Sequence, residues 1–180
     1  MNSQNIATSS GKILHIHDDL FTYDQKTAWF GFALKSAYQT DGGDEAANYK
    51  KTFQIYSQFS QQDVDAMGFK NSDGYKFLDK KYELSRRTVK QTRVNLSYSG
   101  EPNGVHSDRP GLTLVYYANN VWDLNWGGHT LFMDDNLSEP EYTCLFKPGR
   151  VAIFDGSIPH MIMTPVAPCH RLTFAIQFEQ

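Results

Sequence analysis

The sequence is poor in the features that mark several classes of protein. Its 180 residues include only two cysteines, Cys144 and Cys169, and neither has the neighbours that a zinc or redox motif needs. No stretch reaches about eighteen consecutive apolar residues, and the first residues lack a basic segment followed by an apolar one. We therefore expect a cytoplasmic protein with free thiols and no membrane partner.

Excess basic charge is also missing. The formal net charge is -3, from 17 basic and 20 acidic residues, which argues against a phosphate backbone as the default partner. There is no internal repeat and no linker rich in Pro, Gly or Ser, so residues 1–180 are predicted to form a single domain, long enough to bury a core without disulfides. Nothing in the sequence indicates an oligomeric state.

Aromatic residues are plentiful, at 14% of the chain, and many lie in short alternating segments typical of strands. From residue 92 onward, turn residues separate such segments at the spacing of a jelly roll. With helices expected before them, the predicted class is α+β, with N-terminal helices packed on one sheet. The predicted strands of this region are 93–98, 112–118, 129–133, 151–154 and 171–178.

The N-terminal half has mixed patterns. Thr22 and Gln25 form a capping-box pair ahead of apolar residues at helical spacing, which predicts a helix over 22–38. The segment 52–59 is interpreted as a strand, although its aromatic residues also fit helical spacing. A basic helix over 75–90 has either a solvated face or a face for an acidic partner. The remaining predictions are a loose tail (1–10), a strand with His15 and His17 on one face (14–17), a substrate-facing loop (39–45) and a short helix (60–67).

Candidate metal ligands lie in the second half of the chain. Two histidines and one carboxylate are the donors of non-heme iron(II) oxygenases, and His106, Asp108 and His160 supply such a set. His106 and Asp108 are two residues apart, so at a strand end both side chains point the same way. A His-x-Asp pair alone is weak evidence for a metal site, because the composition of the chain nearly predicts one such pair by chance. The chain holds a second pair in His17-Asp18-Asp19, where Asp19 fits the entry to a helix.

The order of several motifs carries more weight than the pair. Together they resemble the 2-oxoglutarate and iron(II)-dependent oxygenases, and within them the prolyl-hydroxylase-like branch, over residues 93–178. The matching segments, in chain order, are Tyr98-Ser99-Gly100, Val105-His106-Ser107-Asp108, Thr113 to Asn119, Trp126-Gly127-Gly128-His129-Thr130-Leu131-Phe132, Lys147-Pro148-Gly149-Arg150, Pro159-His160 and Arg171-Leu172-Thr173.

The resemblance implies a double-stranded β-helix core that binds Fe(II) and uses 2-oxoglutarate and O2 as co-substrates. Arg171 and Thr173 also suit a carboxylate on physical grounds, as a guanidinium fork beside a hydroxyl on one strand face, with a structural ion pair as the alternative for Arg171. Tyr98 and Tyr117 are further candidate co-substrate ligands by resemblance, and each could instead fill the core.

The implied reaction is hydroxylation of an unactivated C–H bond, with decarboxylation of 2-oxoglutarate to succinate. The carboxylate of Asp108 favours hydroxylation over the halogenation of relatives that have a small residue there. A peptidyl, prolyl-like or free amino-acid side chain is the expected substrate. Candidate recognition residues, each of which could be scaffold, are Arg109, residues 119–126, His129 (where the family commonly has Glu) and the loop around Gly42-Gly43.

Two other functions remain open at this point. One is a non-catalytic β-helix module that binds a metal or a sugar-like ligand, since a fold alone does not define an activity. The other is an oxygenase that acts on another small metabolite or on nucleic acid. The net negative charge and the clustering of basic residues within 76–93 weigh against nucleic acid.

Overall fold

The computed structural model describes residues 1–41, 54–100, 104–108 and 110–179. Within these residues the protein is mostly β-sheet, with three helices: α1 (Tyr23–Lys35), α2 (Gln61–Ala66) and α3 (Asp73–Tyr82). None of these helices is long and apolar enough to cross a membrane. The strands are β1 (Asn2–Ala7), β2 (Ile13–Asp18), β3 (Gln39–Asp41), β4 (Gln54–Gln58), β5 (Val89–Ser97), β6 (Leu112–Tyr117), β7 (Thr130–Met133), β8 (Pro140–Cys144), β9 (Val151–Asp155), β10 (His160–Ile162) and β11 (Arg171–Phe178).

The strands form two antiparallel sheets. The major sheet has the order β1-β2-β9-β6-β11-β5-β4-β3, and the minor sheet has the order β10-β7-β8. Side chains from both sheets form one apolar cluster, including Phe132 and Cys144 of the minor sheet and Ile16, Tyr117 and Phe154 of the major sheet. The predicted double-sheet jelly roll is therefore confirmed. Because strands dominate the described residues, the α+β label is not confirmed.

A second core lies on the other face of the major sheet, where the helices pack. Trp29 of α1 and Leu78 of α3 join Leu114, Leu172 and Phe174 of the sheet there. Successive residues of a strand point to opposite faces. Consequently β11 presents Leu172, Phe174, Ile176 and Phe178 to the helices and its other residues, Arg171 and Thr173 among them, to the inner face between the sheets.

Several predicted elements are confirmed at their starts. Helix α1 begins after Thr22, whose side chain accepts from the backbone N–H of Gln25 while the Gln25 side chain accepts from that of Thr22. Helix α2 follows Ser60, which makes the same reciprocal pair with Asp63. The strand predicted over 52–59 is β4 within the described residues, and residues 52 and 53 lie outside them. His15 and His17 share one face and contact Tyr82.

One N-terminal prediction is wrong and two are corrected in part. Residues 2–7 form strand β1 rather than a loose tail, because its pairing with β2 is helped by side chains that bridge Ser3 to His17 and Asn5 to His15. The loop predicted over 39–45 begins as strand β3, and residues 42–45, with Gly42-Gly43, lie outside the described residues. The helix predicted over 75–90 ends at Tyr82, where Glu83 adopts a left-handed conformation with φ of 54°.

The bounds of the later strands also shift. Strand β5 starts at Val89 rather than at residue 93, and β8 and β10 were not predicted. Strand β10 has three residues, too few for a period-2 pattern, and β8 begins at Pro140, a residue type that argues against a strand in sequence.

A buried ion pair joins β2 to the turn before β9. Arg150 donates from Nε to Asp18 Oδ1 at 2.8 Å and from Nη2 to Asp18 Oδ2 at 2.9 Å, and Lys147 donates to the same carboxylate at 3.1 Å. Burial raises the pKa of Asp18, but the hydrogen bonds from Arg150 and Lys147 outweigh it and lower the pKa below its ordinary value. This contact explains the Lys147-Pro148-Gly149-Arg150 motif as structural.

We expect Asp18→Asn to lower the free energy of unfolding by about 3 kcal/mol at pH 7, because it leaves the buried Arg150 charge uncompensated. Urea denaturation measures the loss. The difference from wild type should be full above the unfolded-state pKa of 3.8 and should shrink as the pH falls through the lower folded-state pKa. Asp135→Asn, which breaks only an exposed pair with Lys12, should cost less than about 0.5 kcal/mol; equal losses would contradict a special role for Asp18.

Candidate active site

The structure brings His106, Asp108 and His160 together at one end of the inner face. Each offers one ligand atom, and these atoms lie within 4.8 Å of one another. His160 Nε2 is 4.0 Å from Asp108 Oδ2. A two-residue antiparallel bridge sets the geometry: the backbone N–H of His106 donates to His160 O at 2.9 Å, and that of His160 donates to His106 O at 2.7 Å. The two rings therefore lie side by side, with centroids 4.4 Å apart.

Backbone carbonyls orient both imidazoles. The Nδ1 atom of His160 lies 2.9 Å from Ile158 O, and that of His106 lies 3.2 Å from Gly104 O. A carbonyl can only accept, so Nδ1 carries the proton in each ring and Nε2 keeps a lone pair for a metal. Burial, and then the proximity of His106, lower the pKa of His160, which keeps its ring in the neutral, metal-binding form.

The carboxylate of Asp108 is oriented by a strand residue. Thr113 of β6 donates from Oγ1 to Asp108 Oδ2 at 2.7 Å, and Thr113 itself is buried. His160 is buried against Phe132 and Phe154, whereas His106 is exposed. Three donors of this kind, buried on one side and open on the other, fit an ion that must keep free coordination positions for substrates.

Arg171 lies at the other end of the same inner face and is 1% exposed. Its Nε donates to Gly128 O at 2.7 Å, and its Nη2 donates to Thr130 Oγ1 at 3.3 Å. The guanidinium carbon lies 5.5 Å from the ring centre of Tyr117 and 5.3 Å from that of Phe146.

Hydroxyl groups surround this arginine. Tyr117 Oη and Thr130 Oγ1 are 2.8 Å apart, and Thr173 pairs in register with Tyr117 on the neighbouring strand. Burial raises the pKa of Tyr117 well above 10.0, so its hydroxyl stays protonated and can donate. Tyr98 directly follows Ser97, the register partner of Arg171, and is 38% exposed.

Gly128, the second of the paired glycines, lies against Arg171 and Trp122. A Cβ atom on Gly128 would lie 2.9 Å from the Trp122 ring and 3.1 Å from Arg171 Cδ, and the φ of 68° already disfavours a side chain. Gly128 thus lets the backbone carbonyl approach the guanidinium closely. The second glycine of the Trp-Gly-Gly motif is explained by this contact.

Sequence reasoning missed the positioning role of Asn119. Its Nδ2 donates to His170 O at 2.8 Å, and its Oδ1 accepts from the backbone N–H of Leu172 at 2.8 Å. Both amide atoms thus bracket the backbone of Arg171. Asn119 was predicted as a possible recognition residue, but its buried amide serves the scaffold. A lone Asn in a loop carries no sequence signal for such a contact.

The remaining candidate site residues that the structure describes make contacts with the scaffold rather than with the metal donors. The Nδ1 atom of His129 accepts from the backbone N–H of Phe146 at 3.0 Å, which agrees with the predicted satisfied ring. The second His-x-Asp pair is His17 and Asp19. His17 contacts Ser3 and Tyr82, and Asp19 lies just after β2 with a left-handed φ of 60°, while Asp18 between them binds Arg150. Arg109 lies outside the described residues.

A surface cavity of about 610 Å³ lies on the helix side of the major sheet. It includes Lys70, Arg87 and Lys90 but none of the triad. The basic residues predicted as one helix face are thus divided between α3 and the segment leading into β5. We do not place the active site there, because the metal donors converge on the opposite face.

Comparison with known proteins locates the fold. No family profile and no curated protein sequence matches the chain. Among solved structures, a Pseudomonas putida prolyl-4-hydroxylase matches with a TM-score of 0.66 and 13% identity, over 93% of this chain and 92% of that one. A 2OG-Fe(II) family oxidoreductase from Burkholderia pseudomallei gives 0.66 and 11%, over 92% and 84%.

A third similar structure is the Trichoplax adhaerens prolyl hydroxylase, in complex with a peptide fragment of the hypoxia-inducible factor. It matches with a TM-score of 0.62 and 14% identity, over 92% of this chain and 83% of that one. The fold is therefore that of the 2-oxoglutarate and iron(II)-dependent oxygenases, with prolyl hydroxylases among its structural neighbours. The resemblance stated from the sequence motifs is therefore confirmed for the fold.

Proposed function

We propose that this protein is an iron(II)- and 2-oxoglutarate-dependent dioxygenase that hydroxylates an unactivated C–H bond. One observation carries the proposal: a converged His106, Asp108 and His160 set shares the inner face of this fold with the buried Arg171. We also propose that residues 1–180 act as one catalytic domain with residues 93–178 as its core.

The proposed metal ligands are His106 and His160, each through Nε2, and Asp108 through its carboxylate. The donor set fits iron(II), because imidazole and carboxylate suit this ion and three ligands leave positions open. Bound iron(II) would supply the O2-dependent oxidation that accompanies decarboxylation of 2-oxoglutarate to succinate. The protein's own part is to hold the donors in place, through Gly104, Ile158 and Thr113.

The proposed co-substrate ligands are Arg171 and Thr173, with Tyr117 and Tyr98 as further donors. A guanidinium and a hydroxyl two residues apart on one strand face suit the distal carboxylate of 2-oxoglutarate. Thr113, beside Asp108, and Tyr117, beside Arg171, are four residues apart on β6, or about 13 Å between Cα atoms. A dicarboxylate between the two ends of this face can thus reach both groups.

Thr113→Val should lower iron(II) affinity about 10- to 100-fold, because it removes the hydrogen bond that orients Asp108 while keeping the side-chain shape. Equilibrium dialysis under anaerobic conditions measures the affinity. Thr92→Val, another buried threonine but on the helix side, should leave it unchanged. Unchanged affinity in Thr113→Val would remove this contact from the metal site.

The proposed substrate is a peptidyl, prolyl-like side chain or that of a free amino acid. The prolyl hydroxylases among the structural neighbours, one of them with a bound peptide, support this class. Incubation with free amino acids and proline-containing peptides, iron(II), 2-oxoglutarate and O2 tests it. We expect one probe to stimulate succinate formation and to gain the mass of one oxygen atom; stimulation without that mass gain would contradict hydroxylation.

A further inference from the structure

Arg93 of β5 lies on the inner face of the major sheet and has no part in the function proposed above. It pairs in register with Ala175 of β11, which pairs in turn with Val115 of β6. Directly opposed residues of neighbouring strands project to the same face. Ala175 alternates with Arg171 and Thr173 along β11, so Arg93 faces the side that carries the proposed co-substrate ligands.

The register also places Arg93 within reach of the proposed metal site. Thr113, which holds Asp108, is the next inward-facing residue of β6 after Val115, and β11 alone separates β6 from β5. From ordinary strand spacing and rise, the Cα atoms of Arg93 and Thr113 are about 12 Å apart. A small substrate bound at the guanidinium of Arg93 can therefore extend along the inner face to the proposed metal site.

The surroundings of Arg93 leave its charge uncompensated within the described residues. Its guanidinium carbon lies 4.3 Å from the ring centre of Tyr56 on β4, a cation–π contact. Its Nε is buried, and none of the residues that the structure describes accepts a hydrogen bond from it. No described carboxylate forms an ion pair with it either. An unpaired buried Nε is costly, and because Arg93 as a whole is only half-buried, the rest of its guanidinium stays open to a ligand that can supply the acceptor.

Charge balance indicates the chemistry of that ligand. Arg93 carries a positive charge on the inner face, and no described carboxylate forms an ion pair with it. A planar guanidinium stacked on an aromatic ring keeps its edge available, and a carboxylate binds that edge through paired hydrogen bonds.

We propose that Arg93, stacked on Tyr56, binds a carboxylate group of the substrate. This inference rests on the proposed oxygenase function and narrows its substrate class to molecules that carry such a group. The carboxylate comes from the main chain of a free amino acid or from an acidic side chain of a peptide. Arg93 is then a specificity-determining residue on the part of the inner face formed by β4 and β5.

Calorimetry under anaerobic conditions, with iron(II) and 2-oxoglutarate added, tests the proposal without turnover. The probes are free amino acids, their amides, and terminally blocked dipeptides that contain Asp or Glu with their Asn or Gln counterparts. Wild type should bind acids of one source at least about 10-fold more tightly than the matching amides. Arg93→Gln should abolish this preference, and Arg93→Lys should retain part of it.

Arg86→Gln is the matched control, because Arg86 is exposed and pairs with Glu83 beyond the end of α3. It should keep the full preference for acids. The preference of wild type for free acids or for blocked acidic dipeptides identifies the source of the carboxylate. Unfolding midpoints of the Arg93 variants close to that of wild type would show that their folds are intact.

Three outcomes overturn the proposal: Arg93→Gln keeps the preference, no carboxylate probe binds wild type, or Arg93→Gln weakens 2-oxoglutarate binding as strongly as Arg171→Ala does. The last result would assign Arg93 to the co-substrate. The oxygenase function fails separately, if wild type forms no succinate in air. If such an inactive protein still binds acids through Arg93, the carboxylate-binding role of Arg93 is supported and the oxygenase function is not.

Discussion

Asp108→Ala should abolish the slow formation of succinate that wild type carries out with iron(II), 2-oxoglutarate and O2 in the absence of substrate. The variant removes the only carboxylate of the His106, Asp108 and His160 set, and we expect iron(II) affinity to fall by at least about 100-fold, beyond the range for loss of a supporting residue. Succinate quantified by mass spectrometry and iron bound after dialysis are the two measurements.

Asp73→Ala provides the control for that experiment, because Asp73 is a fully exposed residue in the first turn of α3. It should keep both iron binding and succinate formation at wild-type levels. If Asp108→Ala forms succinate as fast as wild type does, Asp108 is not a metal ligand. Loss of succinate with iron binding intact would assign Asp108 a role other than holding the metal.

Arg171→Ala should raise the KM for 2-oxoglutarate by roughly 10- to 150-fold, because a charged hydrogen bond of this kind contributes about 1.5 to 3 kcal/mol. The iron(II) requirement should change far less, since Arg171 lies at the other end of the inner face from the metal donors. Succinate formation at varied 2-oxoglutarate and at varied iron(II) concentrations separates the two requirements.

Misfolding is the main alternative explanation for that result, since Arg171 is 1% exposed and hydrogen-bonds Gly128 and Thr130. Arg171→Lys retains the positive charge and should give an intermediate KM for 2-oxoglutarate. A parallel rise in the iron(II) and 2-oxoglutarate requirements would indicate a damaged fold. An unchanged KM in Arg171→Ala would remove Arg171 from the co-substrate site.

Part of the candidate site, and the start of α1, were predictable because the residues concerned lie on a periodic or capped element. Arg171 and Thr173 share a face of β11 through strand alternation, as predicted, and the capping box of Thr22 marks the start of α1. The jelly roll followed from the strand spacing and from the motif order. The convergence of His106 with His160 depended on the resemblance, because no local pattern links residues so far apart in the chain.

Other features depend on tertiary contacts that no local pattern encodes. Strand β1 is polar and largely exposed, and it forms because β2 offers a free edge and partners for Ser3 and Asn5. Helix α3 ends at Glu83 through a left-handed residue that is not Gly, so the usual stop signal is missing. The second His-x-Asp pair, His17 and Asp19, has the spacing of a metal site, yet Ser3 and Tyr82 hold the His17 ring and Asp19 adopts a left-handed φ of 60° after β2.

The most direct test of the proposed function is the conversion of 2-oxoglutarate to succinate by the wild-type protein alone. Purified protein is incubated with 2-oxoglutarate in air, with iron(II) added or with a chelator, and succinate and O2 are followed together. The proposal predicts slow succinate formation with matching O2 consumption, dependent on iron(II). If the protein binds iron(II) yet consumes neither 2-oxoglutarate nor O2 with any amino-acid or peptide probe, the chain is a binding module on an oxygenase fold.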